Sequence, residues 1–389
     1  ASITPHDDST HVSRLADRIV GIHSEAGGPL TFTYSVRLHA GVINPAALPS
    51  SPYASVHLGE FVYIAGHDTL AHVIGDARRR HVTVSVSTPV DWHVFSIGNG
   101  EVPREESVSV SDPSALVLLA GPLTIARHEA DGMNVALVVA GDMPWSVDEA
   151  IESVTAMMTS LHKWGFADYA APTTFVQLRY PGPLRLNPLI TSIAVPDNTI
   201  VHWIGTGGTD WWRKHAARDV VRWLVDRTLT LAPDATWFTS GVPEYVALLL
   251  LPEACYETDL EMYRALRALY QTGVRYTGPG WPSLAQAGAA EPRSHAAHRV
   301  LEFQAPAVAF LLDAEIRSAS GGAASLIDLW LAAAAAQRRQ PGRQLDTASL
   351  LSVRSDYGDL NTFANSYLFG TRIPPIHFDT VFQRWSVKQ

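Results

Sequence analysis

The chain has 389 residues, 47% of them hydrophobic, too long for one compact core and enough to fill two or three. A net charge of −9 with a pI near 6.0 excludes the basic face that a nucleic-acid binder needs. The single cysteine, Cys255, excludes an intramolecular disulfide and a cysteine-rich zinc module, and no apolar run approaches the roughly 20 residues of a membrane span.

From Leu30 to Val139 the pattern is that of strands. Leu30 to Leu38, His81 to Val86 and Ser107 to Ser111 alternate with period two, Val135 to Val139 is a short apolar run, and Gly, Pro, Asp and Asn punctuate them. Near Gly141-Asp142-Met143-Pro144 the texture changes, and Ser146 follows. A Ser followed by Asp148 and Glu149 reads as an N-cap with acids in the first turn, opening a helix from Val147 to Trp164. Strands follow at 174–178 and 190–195. Beyond Asp210 helical periodicity dominates, near 210–229, 241–254, 257–272, 296–319, 324–338 and 358–368. Gly278 to Pro282 reads as a loop, and Pro341-Gly342 and Pro374-Pro375 end elements. Cys255 falls at the end of a leucine-rich helix, where a small buried hydrophobe is expected. The basic clusters Arg78-Arg79-Arg80 and Arg338-Arg339 fit solvated loop charge. The chain opens on Ala1-Ser2 rather than Met, which fits cleavage of an export signal, to a periplasmic or extracellular destination, as well as trimming of a tag; the other expectation is cytoplasmic. The expected class is α+β: a β-rich N-terminal domain (1–143), a mixed α+β domain (144–255) and a helical C-terminal domain (256–389).

One segment carries more than periodicity. Trp237-Phe238-Thr239-Ser240-Gly241-Val242-Pro243-Glu244-Tyr245 resembles the W-x-x-E-G-x-x-x-Y signature of the aminopeptidase N and glycyl-aminopeptidase families, zinc peptidases of the gluzincin type. In those families the Glu is the third zinc ligand. An H-E-x-x-H pentapeptide precedes it, with eighteen residues between, and a Trp follows two residues after the second His. Counting back from Ser240 by that spacing reaches Val221, and Trp223 stands where the Trp should. The pentapeptide register therefore falls on Ala217-Arg218-Asp219-Val220-Val221. Downstream, Phe310 to Arg317 resembles the L-L-D-x-x-I-R helix of glycyl aminopeptidases. Leu301-Glu302-Phe303-Gln304-Ala305 stands where they carry Y-Y-x-K-G with an oxyanion-stabilising tyrosine. Leu184 to Thr191 lacks the acid of their amine-binding G-G-x-E-H, while Phe363 to Pro375 also fits the pattern. The resemblance covers about residues 145 to 375. It implies a thermolysin-like domain with a β domain in front and a helical domain behind, which is a statement of fold and not of function.

In the families, two His at i and i+4 hold zinc and the Glu beside the first is the general base. Here Ala217 and Val221 offer no lone pair, Arg218 cannot act as a base, and Ser240 replaces the carboxylate. The resemblance thus implies a degenerate member that has lost zinc and peptidase activity, with no metal and no cofactor. One displaced metal set is conceivable, His215 and Asp219 on one helix with Glu244 on the next. The emptied cleft is expected to present Arg218, Ser240, Glu244 and Glu302, with Arg222 one turn after Arg218 and Asp219 beside it. Two functions fit. In the first, Arg218 is an electrostatic stabiliser and Glu302 or Glu244 moves a proton, in a metal-independent cyclisation, isomerisation or lyase reaction on a small molecule or peptide-like substrate. The alternative is a non-catalytic pseudopeptidase that binds a peptide or small-molecule ligand, with Ser240, Arg222 and Asp219 lining the site. The discriminating feature is a buried cleft carboxylate without a full ion-pair partner, which the enzyme needs and the binder does not. Neither requires nucleic acid or membrane insertion. Trp203, Trp211, Trp212 and Trp281 flank Gly/Pro-rich segments and are expected mainly to pack cores.

Overall fold

The computed structural model describes residues 2–5, 10–16, 19–24, 32–35, 39–40, 55–58, 60–66, 82–98, 100–103, 106–110, 116–130, 133–169, 173–179, 190–195, 199–205, 208–354, 357, 360–371 and 377–386. Arg78 to Arg80, the stretch 184–189 and Pro374-Pro375 lie outside them. By its contacts the chain divides into two units, Ala1–Leu123 with Arg179–Arg185, and Thr124–Leu178 with Leu186–Gln389.

The first unit is built of strands. In chain order they are β1 (Ser2–Pro5), β2 (Thr10–Ala16), β3 (Ile19–Ser24), β4 (Phe32–Ser35), β5 (His39–Ala40), β6 (Val56–Leu58), β7 (Phe61–Ala65), β8 (Val82–Ser85), β9 (His93–Ser96), β10 (Gly100–Val102), β11 (Ser107–Val110) and β12 (Val117–Gly121). β10, β9, β12, β7, β6 and β5 form one sheet in that order. β12 lies inside it and is buried at every position, which is why it reads as an unbroken apolar run, Val-Leu-Leu-Ala-Gly. β7, Phe-Val-Tyr-Ile-Ala, buries alternate residues. The predicted strands around 30–38, 81–86 and 107–111 contain β4, β8 and β11, and the last two pair antiparallel.

The second unit holds a five-stranded sheet ordered β13 (Leu123–Ala130), β14 (Met133–Ala140), β15 (Thr173–Arg179), β17 (Thr199–Ile204), β16 (Ile190–Val195). β13 and β14, which the sequence groups with the N-terminal strands up to 143, pair into this sheet. β14 and β15 are parallel, joined by a crossover through α1 (Val147–Leu161). Ser146 caps α1 by accepting from the Glu149 N–H, as its sequence predicts.

Helices follow: α2 (Thr209–Thr228), α3 (Thr236–Glu253), α4 (Asp259–Val274), α5 (Leu284–Ala289), α6 (His295–Arg299), α7 (Ala305–Ala319), α8 (Leu326–Arg339), α9 (Thr347–Ser352), α10 (Leu360–Tyr367) and α11 (Phe378–Trp385). The helix predicted over 296–319 is interrupted by a wide, π-type turn at Val300–Gln304 between α6 and α7. α3 begins five residues before its predicted start, because Gly241 lies inside the helix rather than ahead of it. An ideal Cβ at Gly241 would stand 2.4 Å from the Ala305 carbonyl oxygen, so α3 and α7 touch backbone to backbone where only glycine fits. Trp212, Trp237, Phe238, Tyr245, Phe310 and Trp330 are fully buried in one core that runs from β14 to α11. That shared core spans position 255, and the contacts draw no border there. Cys255 is exposed, not buried as expected, because the chain turns at positive φ immediately after α3 and swings it outward. Among the described residues no helix is long and apolar enough to cross a membrane.

Candidate functional site

α2 and α3 carry the signature, and its residues divide by direction. Trp237 is fully buried, its indole N–H donating to the Thr347 hydroxyl at 3.1 Å. Tyr245 donates its hydroxyl to Asp313 on α7. The same carboxylate accepts from Arg317 Nε at 2.8 Å, from the Trp385 indole at 2.9 Å and from the Leu326 N–H at 2.5 Å. Burial and the Asp313 charge push the Tyr245 phenol well above its ordinary value, so it stays a donor. The two motifs noticed separately in the sequence therefore meet at one buried carboxylate.

The zinc-register positions are different. Ala217 and Val221 are fully buried on the inner side of α2, and Ser240 is half-buried on α3. Arg218 reaches across to α3. Its Nε donates to Asp219 Oδ1 at 3.1 Å and its Nη1 lies 3.6 Å from Glu244 Oε1. The Arg218 side chain is 21% exposed, and Nη2 takes part in neither contact. Burial works against its charge, and Asp219 and Glu244 more than offset that.

Asp219 turns inward and is 6% exposed. Its Oδ2 lies 3.2 Å from His202 Nε2 on β17, and the Trp212 indole donates to His202 Nδ1 at 3.3 Å. An indole N–H can only donate, so Nδ1 must accept and the ring proton sits on Nε2, aimed at Asp219. Burial raises the Asp219 carboxyl, but the hydrogen bond from His202 and the charge and hydrogen bond of Arg218 outweigh it and hold the group well below the usual carboxylate range. Trp212 in turn stacks on Trp145 at 5.2 Å, whose indole donates to Gln177 at 3.1 Å. The line from Gln177 to Arg218 is thus a continuous polar and aromatic chain through the core.

The remaining candidates act through charge. Burial lifts the Glu244 carboxyl, and Arg218 and Arg222 oppose this without cancelling it; Asp219 and Glu302 add to the rise. Glu302, on the π-type turn, is exposed and lies 3.2 Å from Arg299 Nη1. Ser240 makes no hydrogen bond to this group among the described residues. His215, one turn before Asp219, has its pKa lowered to about 4, by burial first and then by Arg218, and its Nδ1 is buried without a partner. The structure therefore joins Arg218, Asp219 and Glu244 directly, brings Arg222 and Glu302 within electrostatic reach, and leaves Ser240 apart. His202 went unnoticed as a site residue, while Trp212 was expected mainly to pack a core. The signal for His202 was available: a His in the middle of the apolar run Ile200-Val201-His202-Trp203-Ile204 must find a polar partner once buried.

Zinc does not fit these residues. Two ligand positions are aliphatic and buried, the third is a serine, and the base position is a guanidinium already bonded to two carboxylates. Asp219 is engaged by His202 and Arg218, which removes it from the displaced His-Asp-Glu set. Among the described residues no group of three or more His, Cys, Asp or Glu side chains is arranged to hold a metal ion.

No family model matches the chain, and no curated protein matches it in sequence. Solved structures share its fold. An aminopeptidase N family protein from Idiomarina loihiensis superposes with a TM-score of 0.65 at 14% identity, over 85% of this chain and 62% of that one. The chain thus spans less than two thirds of that relative. An M1 zinc metallopeptidase from Deinococcus radiodurans gives 0.51 at 14% identity, over 96% of this chain and 85% of its own. A two-domain M1 zinc metallopeptidase variant bound to L-arginine gives 0.52 at 16% identity with the same coverages. The fold is that of these aminopeptidase N-type zinc metallopeptidases.

Proposed function

We propose that this chain is a pseudopeptidase: a gluzincin-fold protein that holds a peptide-like or small-molecule ligand in its cleft and does not hydrolyse it with zinc. The observation that carries this reading is the anchored guanidinium of Arg218. Two carboxylates fix it, the Trp212–His202–Asp219 chain fixes one of those, and Nη2 is left in neither contact on a part-exposed side chain. A guanidinium so placed can meet a carbonyl or carboxylate oxygen, as a metal cation would, without a metal. The carboxylates support binding over proton transfer, since Asp219, Glu244 and Glu302 all have cationic partners.

The M1 metallopeptidase solved with L-arginine makes free amino acids and short peptides the first ligands to try. Calorimetric titration of the wild-type chain with L-arginine and with dipeptide amides is expected to show binding. Arg218→Ala should weaken it on the order of 10- to 100-fold, the worth of a charge-assisted hydrogen bond. Equal affinity in the variant would exclude Arg218 as the ligand's anchor.

One observation favours metal-independent acid/base chemistry as a second reading. Glu244 is the cleft carboxyl that burial lifts, and its contact with Arg218 is long at 3.6 Å. If Glu244 moves protons, turnover of a substrate found by screening will follow the titration of one carboxyl and vanish in Glu244→Gln, while binding persists. Turnover that survives Glu244→Gln removes this reading.

A further inference from the structure

At the end of α8 the chain builds a small surface cavity that plays no part in the foregoing. It measures about 130 Å³ and is lined by Ala336, Gln337, Arg339, Gln340, Arg343 and Leu345. Three arginines cluster here, and they divide. Arg338 does not line the cavity, and its Nη1 lies 3.2 Å from Asp168 Oδ2. Arg339 and Arg343 do line it, and neither forms an ion pair with a carboxylate among the described residues. Arg343 Nη1 donates to Gln340 Oε1 at 2.8 Å, a neutral partner that leaves the guanidinium charge uncompensated. Asp346 feels the Arg343 charge, but its own carboxylate accepts from the Ser349 N–H at 2.7 Å as the cap of α9. The two free guanidiniums come from different elements. Arg339 ends α8, and Arg343 returns to it because Pro341 stops the helix and Gly342 turns the chain at φ +82°, where a side chain would be strained. The returning segment is fixed on both flanks. Gln337 Nε2 donates to the Arg343 carbonyl at 2.8 Å. Leu345 is bonded to the connection between α2 and α3, its N–H donating to the Thr230 carbonyl and its carbonyl accepting from the Ala232 N–H, both at 2.9 Å. The backbone that carries Arg343 is therefore set in place before any ligand arrives.

Charge decides what such a cavity can hold. Two full positive charges line it, whereas the C-terminal end of α8 supplies only about half a negative charge. The whole chain carries −9, so this local excess runs against its composition. A monoanion satisfies one guanidinium, while a compact dianion offers oxygens to both forks at once. A phosphate monoester carries a charge of about −1.5 to −2 at neutral pH on three acceptor oxygens. Ala336 and Leu345 supply an apolar wall beside the two cations. We propose that this cavity binds a small phosphate monoester, with its phosphate on Arg339 and Arg343 and its short carbon portion against Ala336 and Leu345. The site is independent of Arg218 and of the pseudopeptidase reading.

The test is calorimetric titration of the full chain at low ionic strength with propyl phosphate, with butanoate as a monoanion of similar carbon length, and with a phosphoserine peptide. Two charge-assisted contacts correspond to a dissociation constant on the order of 1 mM for propyl phosphate. Butanoate should bind about 10-fold more weakly, since one charge cannot serve both guanidiniums. Arg339→Gln and Arg343→Gln should each weaken propyl phosphate about 10-fold. Arg338→Gln, at a residue already paired with Asp168, should change it less than about 3-fold. Arg339 and Arg343 are exposed, so the thermal midpoints of the free variants should match wild type, which separates lost binding from lost fold. No binding of propyl phosphate up to about 10 mM overturns the proposal. So does equal affinity for butanoate, or an affinity that survives the double substitution. Loss of binding in Arg218→Ala with retention in the double variant would put the anion in the cleft and overturn it as well. Binding of the phosphoserine peptide without propyl phosphate would replace it with a docking point for a phosphorylated chain.

Discussion

The helix pair α2 and α3 has two sides that differ in what they retain of the gluzincin pattern. On the packing side stand Trp237, Gly241 and Tyr245, with Asp313 and Arg317 across from them, and each makes a contact no other residue would make equally well. Trp237 bonds Thr347 from full burial, Gly241 admits the Ala305 carbonyl, and Tyr245, Arg317, Trp385 and the Leu326 N–H share one carboxylate. On the zinc-register side stand Ala217, Arg218, Val221 and Ser240, at the positions that the resemblance aligns with the His, Glu, His and Glu of a zinc peptidase. Here two positions have joined the core and the third has been drawn into an ion-pair chain. The lesson is that one signature serves two purposes. On the proposed reading, its packing half holds the fold without the metal that its chemical half would work.

If that division is right, the two sides respond differently to substitution. The largest effect belongs to Asp313→Ala. It strands a buried phenol, an indole N–H, a helix N-terminal N–H and the Arg317 charge, and should cost about 3–5 kcal/mol of unfolding free energy in urea titration. A change below about 1 kcal/mol would show the packing half to be dispensable. Gly241→Ala comes next. A methyl 2.4 Å from the Ala305 oxygen must push α3 and α7 apart, for roughly 1–3 kcal/mol by the same titration.

The cleft side is better probed by pH. The folded Asp219 carboxyl is held below its unfolded value of about 3.9, so its contribution is present above that pH and is lost as pH falls further. Asp219→Asn should flatten that acid limb while leaving the packing network intact. An unchanged acid limb would mean that His202 and Arg218 do not hold the charge. His215 has the same sign in a higher pH window. Its folded pKa of about 4 lies below the ordinary 6.5, so the unfolded chain takes up the proton first and stability falls between those two values as pH drops. His215→Gln should remove this smaller slope between pH 6.5 and about 4. A slope that persists would assign it to another group.

Much of the fold was legible in the sequence. Ser146 with Asp148 and Glu149 announced α1, the period-two runs announced β8 and β11, and the Trp-Gly-Tyr spacing led to the shared fold before any coordinates. The breaks in helices were not legible. Gly241 looks like a helix start when read locally, and only the Ala305 backbone across from it explains its place inside α3. The π-type turn within 296–319 leaves no trace in periodicity, because its cause is packing between Gly241 and Gly273. The site was half legible. The spacing gave Arg218, Asp219 and Glu244 from the resemblance alone, but His202 lies on a strand that the sequence did not predict, and its link to Asp219 exists only once β17 packs on α2.

The most direct test of the proposal that the zinc-register positions hold no metal is elemental mass spectrometry on chain purified without chelator and then dialysed against a small excess of zinc. The retained packing half and the replaced chemical half together predict a folded protein with far less than one zinc per chain, and a thermal midpoint indifferent to the ion. One tightly held zinc per chain, with a midpoint that rises on adding it, would contradict the account and place the ligands among residues other than Ala217, Val221 and Ser240.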